Sequence, residues 1–165
     1  KGRRGEGEKG KNGDGDGNGW IVFAYMATLF EYTIFRENVM SRLYPKNHER
    51  LECWKEAMKL VRIVHELVLG FPSFERYALG SQMRRAVYSV PDNIAEGCAR
   101  ETERELIRAL YVARGSLAEL DTQLEIVMML GYAEDVTPIL HQVESVSKTL
   151  NGYMKYIRAR KKTSP

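Results

Sequence analysis

After residue 50, apolar side chains recur at alternating steps of three and four, which is the spacing of one face of an α-helix. The first such run predicts a helix that begins near Leu51 and ends at Gly70, since glycine readily takes the left-handed cap conformation and Pro72 prevents continuation. The predicted inward face of this helix consists of Leu51, Trp54, Met58, Val61, His65 and Val68.

A second helix is predicted to begin at Ser73, whose hydroxyl can cap its first turn. Pro91 lies inside this helix, where it removes one backbone donor and crowds the carbonyl of Val87, so we expect a kink at that point. The predicted inward face consists of Leu79, Met83, Ala86, Val90, Ile94 and Gly97.

A third helix is predicted to start at Thr102 and Glu105, which have the spacing of a capping box, and to end at Gly131. Its inward face repeats with a strict heptad spacing at Leu106, Leu110, Ala113, Leu117, Leu120, Leu124 and Val127. Small residues near its centre are predicted to let a neighbouring helix approach closely: Ala113, Gly115 and Ser116.

The fourth helix is predicted to start between Asp135 and Pro138, with Thr137 as its cap. Its predicted inward face consists of Leu140, Val143, Val146, Leu150, Met154 and Ile157. Four amphipathic helices with short connections predict an all-α protein, an antiparallel up-down-up-down four-helix bundle over residues 48–160, with a tail at residues 161–165. A second apolar set fits either a wide core face or an oligomer interface: Leu60, Ile63, Leu67, Ile107, Tyr111 and Val112.

Residues 1–47 differ from the helical part and are interpreted as a disordered or non-native leader. Residues 1–19 alternate glycine with charged residues or asparagine, a composition that buries too little apolar surface to order the chain. Our hypothesis is that natural translation starts at Met40, which opens the stretch leading into the first helix.

The chain has 165 residues and a formal net charge of +3, which suits one domain with a real core and does not by itself indicate a nucleic-acid partner. Residues 1–40 contain six basic and six acidic groups, so the whole excess lies in the helical part. There the cations form clusters, which are either a phosphate-binding surface or a solvated helix face. The candidate nucleic-acid-binding residues are Arg84, Arg85, Arg100, Arg104, Arg108, Arg158, Arg160 and Lys161. Arg100, Arg104 and Arg108 are predicted to share one helix face.

Enzyme chemistry is not indicated. His48, His65 and His141 have no spacing that makes a catalytic triad or a metal site, and no phosphate loop or dinucleotide fingerprint occurs, so we expect a non-enzymatic protein without cofactors. Cys53 and Cys98 are expected to be structural thiols in the cytoplasm. Residues 20–35 are too short an apolar run for a membrane span.

Two segments resemble a known family: SQMRRAVYSVPDNIAEG at residues 81–97 and ALYVARGSLAELDTQLEIVMMLGY at residues 109–132. They are similar to the small bacterial four-helix-bundle proteins encoded in intervening sequences of large-subunit (23S) ribosomal RNA genes. The same fold group includes Avd, the accessory variability determinant of diversity-generating retroelements. The chain departs from the family pattern at Cys98 and Ala99 but keeps Arg100.

The resemblance implies a ring-like homo-oligomer, specifically a homopentamer with a basic surface, that binds structured RNA through basic helix faces. The alternative is a protein-interaction scaffold that docks a partner such as a reverse transcriptase without touching nucleic acid. Its candidate aromatic anchors are Trp54, Tyr77, Tyr88, Tyr111, Tyr132, Tyr153 and Tyr156.

Overall fold

The computed structural model describes residues 27, 30, 31 and 47–163, with side chains up to Arg160. Contacts divide the chain into two units, Lys1–Pro45 and Lys46–Pro165. The predicted leader lies outside the described residues except at residues 27, 30, 31 and 47, and so does the proposed start at Met40.

The second unit is helical. A 3-10 turn at Asn47–Arg50 precedes α1 (Glu52–Leu69), α2 (Ser73–Tyr77), α3 (Leu79–Cys98), α4 (Glu103–Met129) and α5 (Thr137–Thr163). Across the described residues there is no strand. Each long helix packs against two others, because α1 contacts α3 and α5 and α4 contacts the same two helices. The prediction of an all-α bundle built from four long helices is confirmed.

The core forms where the apolar faces of the four long helices meet. The predicted face of α3 is buried from Met83 to Gly97, and that of α4 is buried from Leu110 to Val127. The predicted face of α1 is wrong at its centre, because Ala57, Leu60 and Val64 are fully buried. Met58, Val61 and His65 are only half-buried. Helix α1 carries two apolar sets, which are its predicted inward face and the second set that includes Leu60. Because α1 packs between α3 and α5, the line on its surface midway between these two sets faces the core.

The second predicted helix is interrupted, and its predicted cap is wrong. Pro72 precedes α2, and its carbonyl accepts hydrogen bonds from the backbone N–H groups of Glu75 at 2.9 Å and Arg76 at 3.1 Å. Ser73 is instead the first residue of α2 and makes no cap. The chain leaves the helix at Ala78 (φ −92°, ψ −98°) and then continues as α3, which runs through Pro91.

Helix α4 has well-defined ends, as predicted. The Glu105 N–H donates to Thr102 Oγ1 at 3.3 Å, and the Thr102 hydroxyl donates to Glu105 Oε2 at 2.6 Å. The hydrogen bond from the Thr102 hydroxyl, followed by one from the Thr102 backbone, lowers the pKa of Glu105. At the other end Gly131 takes φ +69°, and the Tyr132 N–H donates to the Val127 carbonyl at 3.0 Å, which is the pattern of a Schellman cap.

Helix α5 begins at Thr137, within the predicted range, but its capping residue differs from the predicted one. Asp135 Oδ1 accepts the Thr137 N–H at 2.8 Å, so Asp135 takes the role predicted for Thr137. Hydrogen bonds from Thr137, that of its side chain foremost, lower the pKa of Asp135. The predicted face of α5 is buried at Val143, Val146, Leu150, Met154 and Ile157.

Helices α3 and α4 approach each other closely at Gly97. A Cβ atom at Gly97 would lie 2.9 Å from Leu106 Cδ1 and 3.0 Å from Ala109 Cβ, which is too close for the packing seen there. The predicted approach at the centre of α4 is wrong for Gly115, where a Cβ would meet nothing within 4 Å. Ser116 does meet α3, because its hydroxyl donates to Ser89 Oγ at 2.8 Å.

One carboxylate is nearly buried between α1 and α5. The Glu56 side chain is 11% exposed and pairs with Lys59. It accepts hydrogen bonds from Gln142 Nε2 at 2.7 Å and from Ser145 Oγ at 3.1 Å. The hydrogen bond from Lys59, followed by that from Gln142, lowers the pKa of Glu56 against the opposing effect of burial. Glu56 therefore ties α5 to α1 in its ionised form.

Replacing Gly97 by Val tests the contact between α3 and α4. We expect the Gly97→Val variant to lose about 1–3 kcal/mol of unfolding free energy, because the added side chain overpacks the site against Leu106 and Ala109. Gly115→Val is the matched control on α4, since that position faces open space, and it should lose far less. Urea unfolding of both variants measures the difference. Equal losses would contradict the close contact.

Replacing Glu56 by Gln tests the buried hydrogen-bond network. At pH 7 we expect the Glu56→Gln variant to lose about 1–2 kcal/mol of unfolding free energy, because the charge-assisted hydrogen bonds weaken. A lowered pKa stabilises the fold above the unfolded-state value of about 4.3, and that stabilisation is lost as pH falls through the folded-state pKa. The gap between wild type and variant should therefore close in acid. Unfolding curves at pH 7 and in acid test this, with the exposed Glu144→Gln as control.

Candidate nucleic-acid interface

Arg84 has a structural role. It is half-buried on α3, and its Nη2 donates to the Arg76 carbonyl at 2.7 Å. Arg76 Nε in turn donates to the Phe71 carbonyl at 2.9 Å. Burial, together with the nearby Arg84 charge, lowers the pKa of His65 on α1. The hydrogen bond from Arg84 to the Arg76 carbonyl joins α3 to α2, so the Arg84 guanidinium stabilises the fold.

Arg85 lies apart from the other candidates. It lines a groove of about 310 Å³ between α3 and α4, together with Gln82, Ser89, Ser116 and Glu119. This groove has polar walls and one opposing carboxylate. The structure therefore does not bring Arg85 into a cationic group.

Arg100 does not share a helix face with Arg104 and Arg108, and that prediction is wrong. Helix α3 ends at Cys98 and α4 begins at Glu103, so Arg100 lies in the connection between them. Its guanidinium pairs with the Glu96 carboxylate four residues earlier. The four-residue spacing failed as a guide because the Thr102 cap restarts the helix after Arg100.

Arg104 and Arg108 are exposed on the first turns of α4. Within the described part of the chain, neither side chain forms an ion pair or a hydrogen bond to another residue. Arg104 lines a groove of about 480 Å³ between α4 and α5, whose other walls are Glu103, Ile107, Ile157 and Arg158. The groove is thus apolar at two isoleucines and flanked by two guanidinium groups.

Tyr111 holds the cation of α5 beside those of α4. The Arg158 guanidinium donates a hydrogen bond to the Tyr111 hydroxyl and lies 5.5 Å from the ring centroid. The Arg114 guanidinium lies 4.7 Å from the same centroid. The ring is 40% exposed, so its interactions with the two cations leave part of its surface open to a ligand.

These residues form what we call the α4–α5 cluster: Arg104, Arg108, Tyr111, Arg114 and Arg158. Sequence reasoning missed Arg114, and it treated Tyr111 as part of a second apolar set and as a candidate protein anchor. The signal was present, because steps of four, three and three along α4 continue the face of Arg104 through Arg108 and Tyr111 to Arg114. The contribution of Arg158 from α5 depends on tertiary packing.

The last two candidates lie near the end of α5. The Arg160 guanidinium lies 5.9 Å from the Tyr156 ring centroid, in a separate cation–π contact. Lys161 belongs to α5, but its side chain lies outside the described ones. Of the predicted candidates, Arg104 and Arg158 thus line one groove, and Arg108 lies on the face of α4 that contains Arg104.

Other chemistry finds little support in the described residues. No three or more His, Cys, Asp or Glu side chains come together there in a way that could hold a metal ion. His65 is half-buried, and its Nδ1 lies 3.1 Å from the Tyr88 hydroxyl, which gives this histidine a structural partner. None of the helices in that same part of the chain has the length and apolar content that a bilayer span requires.

No curated protein matches the chain. A protein-family model described as 23S rRNA-intervening sequence protein matches residues 49–152. The match runs from the start of the helical unit through α1, α2, α3 and α4 into α5, and it contains four of the five residues of the α4–α5 cluster. It covers more than half of the chain. The chain therefore belongs to the 23S rRNA-intervening sequence protein family.

Proposed function

We propose that this protein is a non-enzymatic, oligomeric RNA-binding protein that contacts structured RNA through the α4–α5 cluster. The observation that carries the proposal is that Arg104 and Arg158 line one groove from two helices, while Arg158 also contacts one exposed aromatic ring. The exposed Arg108 lies on the same face of α4 as Arg104. Membership of the 23S rRNA-intervening sequence protein family favours RNA over other polyanions.

Charge accessibility supports this choice of surface. A cation that is already paired must break that contact before it binds phosphate, whereas a solvated guanidinium exchanges only mobile counterions. Arg100 is paired with Glu96, and Arg84 is bound to a backbone carbonyl. The side chains of Arg104 and Arg108 have no such contact to break, so these two residues are well placed to bind phosphate.

We also propose that the four long helices alternate in direction, with a bend at Pro91. Paired contacts support this arrangement. Gly97 packs near Leu106, and Ser89 accepts a hydrogen bond from Ser116. Residue numbers therefore fall along α3 as they rise along α4, as in an antiparallel pair of helices. The bend is favoured because Pro91 supplies no backbone N–H to the carbonyl one turn earlier. Arg104 and Arg158 then come from opposite ends of their own helices.

Self-assembly into a ring, specifically a homopentamer, completes the proposal. One end of the bundle favours it, since α2 and the end of α4 expose apolar side chains there: Phe74, Tyr77, Met128, Met129 and Leu130. The hydrogen bond from the Tyr132 hydroxyl to Glu75 Oε1 at 3.2 Å joins these two segments. A ring would repeat the α4–α5 cluster and strengthen weak contacts through multivalency.

The same apolar end favours a second candidate function, the docking of a protein partner such as a reverse transcriptase. Exposed aromatic and methionine side chains are typical of protein interfaces. We assign the protein to the cytoplasm, where the free thiols of Cys53 and Cys98 would stay reduced.

Removing the cations of the cluster should weaken RNA binding. We expect the double variant Arg104→Ala, Arg108→Ala to bind a structured ribosomal RNA fragment roughly tenfold more weakly, and the slope of log affinity against log salt to fall by about one per lost phosphate contact. Fluorescence anisotropy at low and physiological salt, with duplex DNA as a second ligand, measures both quantities.

The matched control for that experiment is Arg62→Ala. Arg62 is an exposed arginine on α1, a helix that packs against α3 and α5. Its removal should leave affinity and salt slope nearly unchanged. The proposal fails if the wild-type chain does not bind RNA at low salt, or if Arg62→Ala weakens binding as much as the double variant does.

Disrupting the apolar end should shift the oligomeric state. We expect Met129→Lys, at a side chain that is 76% exposed, to lower the solution mass towards that of one chain, because a charge would be buried in the interface. Light scattering coupled to gel filtration measures the mass. Lys148→Met, a substitution of an exposed residue on α5, is the control. An unchanged mass for Met129→Lys would exclude this end as the interface.

A further inference from the structure

The α4–α5 groove has the chemistry of a nucleotide site as well as of a phosphate contact. Its volume of about 480 Å³ falls in the range of roughly 300–1,000 Å³ that is typical of small-molecule sites. Ile107 and Ile157 supply an apolar surface against which an aromatic base can pack. A base that is paired within an RNA helix has no face free for such packing, so the groove suits an unpaired nucleotide.

The charged walls distinguish the two ends of such a nucleotide. Arg104 and Arg158 flank the groove and can bind its phosphate. Glu103 is the one acidic residue among the described lining side chains, and its carboxylate makes no ion pair or hydrogen bond with them or with the other described residues. A carboxylate accepts hydrogen bonds only, so Glu103 selects for donors on the base edge.

Guanine is the base that satisfies this carboxylate best. Its Watson–Crick edge offers two adjacent donors, the N1–H and the N2 amino group, which match the two oxygens of a carboxylate. Adenine and cytosine each present one amino donor beside an acceptor, which would face a carboxylate oxygen. Uracil presents a single N–H between two carbonyl groups, so both flanking atoms would repel the carboxylate.

Tyr111 is a positioning residue for this groove. Its hydroxyl accepts a hydrogen bond from the same Arg158 guanidinium that lines the groove. The Arg114 guanidinium lies 4.7 Å from the centroid of the Tyr111 ring. Tyr111 therefore holds both Arg114 and Arg158 in place before a ligand binds. A preformed arrangement lowers the entropic cost of binding phosphate.

We propose that the α4–α5 groove binds one unpaired guanine nucleotide of an RNA, with Glu103 accepting from the base edge, Ile107 and Ile157 packing on the base, and Arg104 and Arg158 holding the phosphate. This inference rests on the proposed function, because it names the RNA feature that the same surface recognises. It adds a base preference that phosphate contacts alone cannot provide.

Three RNA hairpins of equal length and charge test the proposal against the full chain. All three share one loop that contains no G; one has a fully paired stem, one carries a single unpaired G in the stem, and one carries a single unpaired U at the same place. We expect the hairpin with the unpaired G to bind about tenfold more tightly than the other two, the discrimination typical of one bidentate base contact. Anisotropy titrations at one fixed salt concentration give the three affinities.

The variant Glu103→Gln should remove the preference for G and leave affinity for the paired hairpin intact. Glu101→Gln, an exposed change of the same charge two residues earlier, should keep the preference. Tyr111→Phe should weaken binding of all three hairpins by a similar factor, because it frees Arg158 without touching the base contact.

The outcomes separate this inference from the proposed function. Equal affinities of the wild-type chain for all three hairpins would overturn the guanine site and leave RNA binding standing. A preference for G that survives Glu103→Gln would overturn the role of Glu103. Failure to bind any hairpin at low salt would overturn RNA binding, and the guanine site with it.

Discussion

The contact between α3 and α4 at Gly97 is the constraint on which the arrangement of the site depends. Because this position has no side chain, Leu106 and Ala109 can pack against the α3 backbone, and the two helices meet directly after a short connection. The Thr102 cap fixes where α4 begins. Together these features set the register of α4 against its neighbours, and that register determines where Arg104, Ile107 and Tyr111 lie beside α5.

Charge in this protein is divided between the fold and the surface. Contacts between helices engage Arg84 and the Glu56 network, and Arg100 pairs with Glu96 near the end of α3. Arg104 and Arg108, in contrast, remain solvated. A net charge of +3 therefore understates the local positive field at the α4–α5 cluster. Because the cluster is small, the proposed oligomer would strengthen the proposed RNA binding by repeating this surface.

Periodicity predicted the four long helices, the buried faces of α3 and α4, and the caps at Thr102 and Gly131, because each follows from local backbone geometry. It failed where tertiary contacts decide. The buried line of α1 lies between two competing apolar sets and is set by its two neighbours. The pairing of Tyr111 with Arg158 likewise joins residues that are distant in sequence. The error at Arg100 has a local cause instead, since the predicted cap at Thr102 already places Arg100 before the helix.

The most direct test of RNA binding at the α4–α5 cluster is photo-crosslinking of the full chain to a structured ribosomal RNA fragment that carries 4-thiouridine, with the linked peptides identified by mass spectrometry. If RNA lies on the α4–α5 cluster, crosslinks should concentrate at Tyr111 and in the peptides that contain Arg104 and Arg158. Crosslinks confined to α1 or α2, with none on α4, would contradict the account.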